Sequence, residues 1–187
     1  MLRVIGGTAR GVPLKSPDTK NTRPTLDRTK ESLFNILMPY IPDTKVLDLF
    51  SGSGSLGIEA LSRGAEKAVF VDQSKKCRDI IIENIKKTKM EERSKVMTLD
   101  VYKAIKLLGN EKAKFDIVFL DPPYNMNFIA KTIQNIEEFD IIAEEGIVVC
   151  EHHINEQAPE QVGSLTKVRI KEYGETLYSF YIRKSET

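Results

Sequence analysis

Residues 45–57 read KVLDLFSGSGSLG, and this stretch decides the fold. Its first six residues form a short apolar run of the kind that predicts a buried β-strand. The glycines Gly52, Gly54 and Gly57 have the spacing GxGxxG, which lets the backbone turn sharply and approach a ligand closely. A helix through residues 59–61 follows. Strand, glycine turn and helix in this order predict the first unit of a ligand-binding α/β domain.

The rest of the chain continues this alternation. We expect strands over residues 45–50, 67–72, 94–99, 115–120 and 146–150, with helices over 75–89, 101–108 and 129–136. Such alternation indicates right-handed crossovers and a largely parallel sheet. Two further alternating runs, 166–173 and 176–184, predict an antiparallel hairpin that closes the sheet. The expected architecture is a Rossmann-like α/β fold: a mostly parallel seven-stranded sheet, helices on both faces and an antiparallel C-terminal hairpin.

The first 44 residues do not follow this pattern. They predict a small hairpin, a polar loop over 16–24 and a helix that Thr25 caps and that ends before Pro39. Residues 1–30 contain seven basic and two acidic residues, a local charge of +5, whereas the whole chain carries +1. A basic arm of this kind indicates a polyanionic partner. We therefore divide the chain into an N-terminal extension, 1–44, and an α/β domain, 45–187.

Composition indicates a globular protein of the cytoplasm. Hydrophobic residues make up 41% of the chain and charged residues 29%, with no apolar run of membrane-spanning length. The two cysteines, Cys77 and Cys150, form no CxxC motif, so we expect a reduced protein without a metal site. His152 and His153 are interpreted as surface histidines without a chemical role. One domain without a long apolar edge indicates a monomer that does not contact membranes.

A second informative stretch, DPPY at residues 121–124, directly follows the apolar run 115–120. Two prolines end the strand and stiffen the turn, which fixes Asp121 and Tyr124 at the carboxyl end of a central strand. Ligands of open α/β sheets bind at that edge. A hydrogen-bond acceptor beside a flat ring suits a planar group with an exocyclic NH2, such as a nucleobase.

Three further carboxylates indicate which cofactor the glycine turn binds. Asp48 lies four residues before Gly52 and would repel a diphosphate, whereas it would attract a cationic amino-acid tail. S-adenosylmethionine has a sulfonium and an ammonium group and no phosphate. Asp72 is placed to accept both ribose hydroxyls, and Asp100 either accepts from the adenine amine or caps the helix that follows. The pattern favours S-adenosylmethionine over a dinucleotide.

With these motifs the chain resembles the class I S-adenosylmethionine-dependent methyltransferases. It is more closely similar to the RsmD type, the small-subunit ribosomal RNA (guanine-N2)-methyltransferases. The stretches that carry this similarity are RVIGG at 3–7, TRPTLDRTKESLFNIL at 22–37 and LGIEALSRGA at 56–65. The second is the most specific, because the glycine turn and DPPY occur more widely. Val12 and Pro13 depart from the family, whose members often carry basic residues there, and weaken the expected grip of the hairpin on phosphates.

The resemblance implies methyl transfer to the exocyclic N2 of a specific guanine in 16S rRNA, within the 30S subunit or an assembly intermediate. Asp121 and the Pro122 carbonyl would each accept one N–H of the amine, on a turn stiffened by Pro123, and Tyr124 would stack on the base. The implied cofactor contacts are Asp48, Phe50, Ser51, Gly52, Ser53, Gly54, Gly57, Asp72, Gln73, Asp100, Val101 and Asp121. The expected RNA contacts are Arg10, Thr22, Arg23, Thr25, Arg28 and Lys30.

Three other functions remain open. The same chemistry could act on adenine N6 of DNA or RNA, or on a protein glutamine, and only residues 22–37 argue against this. An NAD-dependent oxidoreductase would explain GxGxxG and Asp72 but would leave Asp48 and DPPY without a role. A non-catalytic RNA-binding module would explain the basic arm but not the acceptor-rich turn.

Overall fold

The computed structural model describes residues 1–17, 24–124 and 127–184, without the side chains of residues 24–26. The chain divides into two compact units, Met1–Leu99 and Asp100–Thr187. The N-terminal extension belongs to the first unit, where its backbone is hydrogen-bonded to a helix of the α/β domain. A functional boundary between residues 44 and 45 stays a prediction.

The first unit contains three parallel strands in the order β3-β2-β1. Its elements are α1 (Pro24–Leu37), β1 (Lys45–Leu49), α2 (Ser55–Ser62), β2 (Lys67–Val71), α3 (Lys75–Lys87) and β3 (Ser94–Met97). Short 3-10 turns occupy Met38–Tyr40 and Glu91–Arg93. Helix α1 begins at Pro24, a favoured first helical residue, so Thr25 lies inside the first turn and not ahead of it. Strands β1, β2 and β3 each begin and end within two residues of their predicted bounds.

The second unit contains five strands in the order β4-β5-β8-β7-β6. Its elements are α4 (Val101–Asn110), β4 (Phe115–Leu120), α5 (Phe128–Glu138), β5 (Ile142–His153), β6 (Gln161–Val162), β7 (Leu165–Tyr173) and β8 (Thr176–Arg183). Strands β4 and β5 are parallel, and the remaining pairs are antiparallel. The seven predicted strands are present, and the two-residue β6 adds an eighth. The predicted C-terminal hairpin is β7–β8.

Strand β5 is longer than the predicted 146–150. It begins at Ile142 and continues to His153, which pairs with Thr176 at the start of β8. The apolar pattern of the sequence does not predict these extensions, because they contain polar residues. Pairing with the neighbouring strands defines them instead. The additional residues matter because they bring Glu151 beside a long neighbouring strand.

The N-terminal hairpin is shorter than expected, with one antiparallel bridge between Arg3 and Pro13. Hydrogen bonds from Val4 N to Val12 O and from Gly11 N to Val4 O close it. Within the described residues, no helix is long and apolar enough to cross a membrane.

Candidate active site

The turn between β1 and α2 has an unusual backbone. Phe50 (φ 55°), Gly52 (φ 59°) and Gly54 (φ 79°) all adopt left-handed conformations. A phenylalanine at positive φ is strained, and such strain clusters at functional sites. A Cβ atom added to Gly52 would meet nothing within 4 Å. The turn therefore leaves open space at Gly52, where a ligand can approach the backbone.

Gly57 has a different role from the other two glycines. A Cβ atom there would lie 2.4 Å from Cε1 of Phe70 on β2. The missing side chain lets α2 pack closely against the sheet, as the third glycine of this motif does in nucleotide-binding folds. Gly57 therefore positions the helix that carries the turn and is less exposed to a ligand.

Asp48 lies on β1 directly behind the turn and is fully buried. Its Oδ2 accepts a hydrogen bond from Gly57 N at 3.1 Å. Burial raises its pKa from 3.8 to about 7, against the opposing effect of the Gly57 N–H. The neighbouring Ser51 hydroxyl is also buried; it lies close enough to Asp48 to lower the pKa of that carboxyl, but it makes no hydrogen bond of good geometry within the described part of the chain. Both groups would be stabilised by a cationic, hydrogen-bonding ligand at the turn.

Asp72 follows β2 and holds the same turn. Its Oδ2 accepts from Gly52 N and its Oδ1 from Ser74 N, both at 2.9 Å. A carboxylate offers about four acceptor positions, so the observed bonds leave capacity for hydroxyl donors. Gln73, the next residue, is exposed. These positions are compatible with the predicted ribose contacts.

The turn is also anchored by Asn84 of α3, a residue that the sequence analysis missed. Its Nδ2 donates to Ser53 O at 2.8 Å and to Lys15 O at 2.9 Å, while its Oδ1 accepts from Lys15 N at 2.8 Å. Asn84 is fully buried. The available signal was a polar residue on the apolar face of an amphipathic helix, next to Ile81 and Ile85.

Lys30 is not available to RNA as predicted. Its Nζ lies inside the first unit and donates to Arg3 O at 2.6 Å and to Ser55 Oγ at 2.9 Å. It also lies 3.7 Å from the buried Glu59. Burial lowers the pKa of Lys30, and Glu59 opposes this change. The sequence could not show this, because all three partners are distant along the chain, so Lys30 is removed from the proposed RNA contacts.

Of the other predicted RNA contacts, Arg10 and Arg28 are exposed. Thr22, Arg23 and the side chain of Thr25 lie outside the described residues. Arg3, by contrast, makes an ion pair with Asp27 at 3.0 Å. Arg3 is exposed as well, so the described part of the N-terminal extension offers three exposed guanidinium groups to a polyanion, one of them paired with Asp27.

In the second unit, Asp100 caps α4. Its Oδ1 accepts from Tyr102 N at 3.0 Å and from Lys103 N at 3.3 Å. The helix-capping alternative is therefore observed, and the second carboxylate oxygen keeps its acceptor capacity for an adenine amine. Val101, the first residue of α4, is buried.

The DPPY turn leaves the end of β4, with Asp121 partly buried and Pro122 buried. Pro123 is exposed, and Tyr124 keeps 46% of its surface accessible. Burial raises the pKa of the Tyr124 hydroxyl, and the charges of Glu151 and Asp121 raise it further. The structure thus places a carboxylate and an accessible aromatic ring together, as the sequence predicts.

Glu151 is a further component of this turn that the sequence analysis missed. The Tyr124 hydroxyl donates to its Oε1 at 3.3 Å and the Tyr178 hydroxyl to its Oε2 at 3.2 Å. Burial raises the pKa of Glu151, against the effect of these two donors. The edge of the His153 ring faces Tyr124, with centroids 6.2 Å apart. The signal was an acidic residue directly after the apolar core of β5, which parallels Asp121 after β4.

The interpretation of His152 as a surface residue is wrong. Its side chain is buried, with Nε2 at 2.8 Å from the Ser179 hydroxyl. The reason is the extension of β5, which carries His152 into the sheet beside β8. Burial lowers its pKa. Among the described residues, no group of three or more His, Cys, Asp or Glu side chains is arranged to hold a metal ion.

Comparison with known proteins identifies the family. The family model described as "Conserved hypothetical protein 95" matches residues 2–182. The chain belongs to this family, the RsmD family. The resemblance drawn from residues 3–7, 22–37 and 56–65 is therefore confirmed.

Individual relatives support this assignment over nearly the whole chain. Ribosomal RNA small subunit methyltransferase D of Escherichia coli is 34% identical over 99% of this chain and 91% of its own length. YlbH of Bacillus subtilis, provisionally assigned as an rRNA methyltransferase, is 38% identical over 98% of this chain and 100% of its own. The solved structure of yhhF from Escherichia coli, provisionally assigned as a methyltransferase, matches with a TM-score of 0.84 at 33% identity, over 98% of each chain. The predicted class I methyltransferase fold is confirmed.

Proposed function

We propose that this protein transfers a methyl group from S-adenosylmethionine to the exocyclic N2 of a guanine in 16S rRNA. The observation that carries the proposal is the DPPY turn, where Asp121 and Tyr124 lie at the end of a buried strand beside a second carboxylate. The family supplies the substrate class, because the Escherichia coli relative is a small-subunit rRNA methyltransferase.

The residues of the first unit fit S-adenosylmethionine. Its cationic tail would stabilise the ionised form of Asp48, its polar groups would satisfy the Ser51 hydroxyl, and its ribose would meet Asp72. The open backbone at Gly52, flanked by Phe50, Ser53 and Gly54, leaves room for close approach. We also propose Gln73 of this unit, and Asp100, Val101 and Asp121 of the second, as cofactor contacts, with Asp100 accepting from the adenine amine.

When bound, the cofactor would supply the methyl group: the guanine N2 lone pair would form the N–C bond as the C–S bond breaks, S-adenosylhomocysteine would leave, and the methylated N2 would release a proton to water. The guanine amine is a poor nucleophile because its lone pair is delocalised into the ring. Asp121 and the Pro122 carbonyl would each accept one N–H and hold the lone pair in the reactive direction. Pro123 stiffens the turn, and Tyr124 provides the stacking surface. Positioning, and not strong base catalysis, is the main contribution of these residues.

The proposed RNA surface consists of Arg10, Arg28, Thr22, Arg23 and Thr25. A short arm offers few contacts to base edges, so we propose that recognition depends on the 30S subunit or an assembly intermediate and that most arm contacts are to phosphates. We further propose that the protein acts as a monomer in the cytoplasm, where this substrate lies.

The test is a panel of acceptors incubated with labelled S-adenosylmethionine. The panel contains 30S particles that lack the modification, deproteinised 16S rRNA, DNA and total protein. The proposal expects label in 16S rRNA, highest from the 30S particles. Label confined to DNA or protein would replace it with one of the other amine substrates. No transfer to any acceptor would leave a binding function.

A further inference from the structure

Asp121 and Glu151 occupy equivalent places on neighbouring strands. In the parallel pair β4–β5, Leu120 is the register partner of Cys150. Glu151 is the next residue on β5, and Asp121 is the first residue after the end of β4. Burial raises the pKa of Tyr124 and of Tyr178, the two tyrosines that donate to Glu151, and the charges of Glu151 and Asp121 raise both further. Both carboxylates therefore lie close to the same two tyrosines at the DPPY turn.

The two oxygens of Glu151 differ in how firmly their partners are held. Oε2 accepts from Tyr178, which is 4% exposed and is the register partner of Glu151 on β8. Oε1 accepts from Tyr124, which is 46% exposed on the turn itself. A carboxylate oxygen has two lone pairs, so Oε1 can accept another donor beside Tyr124 or in its place. Oε1 is therefore the open acceptor of this carboxylate.

A guanine presents a matching pair of donors. Its Watson–Crick edge displays N1–H directly beside the N2 amine, whereas adenine and 2-aminopurine have an unprotonated N1 acceptor. We propose that Glu151 accepts the N1–H of the target guanine while Asp121 accepts from N2, and that Glu151 thereby selects guanine. This inference rests on the proposed function. A base with a lone pair at N1 would face the carboxylate without a hydrogen bond, which is rejection by an unpaired polar group.

The partly buried position of Glu151 supports this role. Only neutral hydroxyls contact its carboxylate among the bonds observed, and burial raises its pKa. A guanine N–H would add a third hydrogen-bond donor to the Glu151 carboxylate, whose charge is poorly solvated. If Glu151 only aligned the two tyrosines, that role would not require the second carboxylate, Asp121, nearby.

The test compares guanine with 2-aminopurine at the mapped target position in reconstituted particles. 2-Aminopurine keeps the exocyclic amine but lacks N1–H. We expect the wild-type protein to prefer guanine in kcat/KM by about 10- to 100-fold, the value of one hydrogen bond to a charged group. In Glu151→Gln, whose amide can donate as well as accept, this preference should fall to within about 3-fold, with unchanged affinity for S-adenosylmethionine.

Tyr178→Phe is the matched control, because it removes a donor to Glu151 but keeps the carboxylate. It should retain the wild-type base preference, whereas a purely structural role of Glu151 would make both variants alike. An unchanged base preference in Glu151→Gln would overturn the proposal. If that variant does not fold, the wild-type ratio decides: equal methylation of both bases contradicts the inference. Absence of any guanine N2 transfer would instead contradict the proposed function.

Discussion

Glu59 in the first unit is fully buried and Glu151 in the second is partly buried, and their partners differ in kind. Glu59 accepts from the Ile5 and Gly6 amides at 3.0 Å and from the Arg63 side chain at 2.9 Å, with Lys30 at 3.7 Å. Among the described residues, Glu151 accepts hydrogen bonds from two tyrosine hydroxyls and from no cation or backbone amide. The comparison teaches that a buried carboxylate saturated with cations and amides holds the fold, whereas one met only by neutral donors retains capacity for a ligand.

The largest expected effect concerns the carboxylate next to Glu151. Asp121→Ala should lower the rate of methyl transfer by about 10³-fold or more, because it removes the acceptor that orients the amine. The affinity for S-adenosylmethionine should change little. Single-turnover transfer and equilibrium cofactor binding measure the two quantities, with the exposed Glu172→Ala as control. Full activity of Asp121→Ala would exclude it from the reaction.

The contrast between the two glutamates requires that Glu59 stabilises the folded protein. Glu59→Gln leaves Lys30 and Arg63 buried without their anion, which should cost about 3–5 kcal/mol of unfolding free energy. For a chain of this size that lowers the melting temperature by on the order of 10 °C. Glu66→Gln, at an exposed carboxylate of the same unit, should change it by less than about 2 °C. Equal thermal scans for both variants would refute the structural role.

Asp48 resembles Glu151 more than Glu59, because no cation pairs with it among the described residues and burial raises its pKa. Its effect on the stability of the protein should therefore depend on pH. Its folded pKa, about 7, lies above the usual 3.8. The folded state therefore keeps a proton that the unfolded state has lost, and stability falls as pH rises from about 4 to 7. Ionisation costs on the order of 4 kcal/mol, and Asp48→Asn avoids it. We expect this variant to melt above the wild-type protein at pH 8 but not at pH 4.

The same substitution should weaken cofactor binding, because a cationic tail requires the ionised carboxylate. Wild-type affinity for S-adenosylmethionine should rise by up to about 10-fold from pH 6 to pH 8, as the ionised fraction of Asp48 rises, and Asp48→Asn should lose this dependence. Calorimetric titration at both pH values measures it. If the affinity of the wild-type protein for S-adenosylmethionine did not depend on pH, Asp48 would not interact with the cationic tail of the cofactor.

The smallest effect concerns the exposed cations of the first unit. Arg28→Ala should weaken RNA binding a few-fold and reduce the slope of log affinity against log salt by about one, the value for one phosphate contact. The melting temperature should not change. Lys67→Ala, at an exposed lysine outside the N-terminal extension, is the control. An unchanged salt slope would remove Arg28 from the RNA surface.

The sequence predicted the parts of this molecule that depend on local patterns. Strand β4 matches its predicted bounds because its apolar run ends at two prolines, and the glycine turn follows from residue spacing alone. The polar networks were missed because Asn84, Lys30 and Glu59 find partners 25 to 69 residues away along the chain. The sequence analysis missed Glu151 for a related reason. Its position near the DPPY turn depends on the register between β4 and β5, which no local sequence pattern encodes.

The most direct test of the central claim is nucleoside analysis of 16S rRNA from 30S particles treated with the protein and S-adenosylmethionine. The account predicts one N2-methylguanosine per particle with the wild-type protein and almost none with Asp121→Ala. Another methylated nucleoside in 16S rRNA, or N2-methylguanosine formed equally well by both proteins, would contradict it.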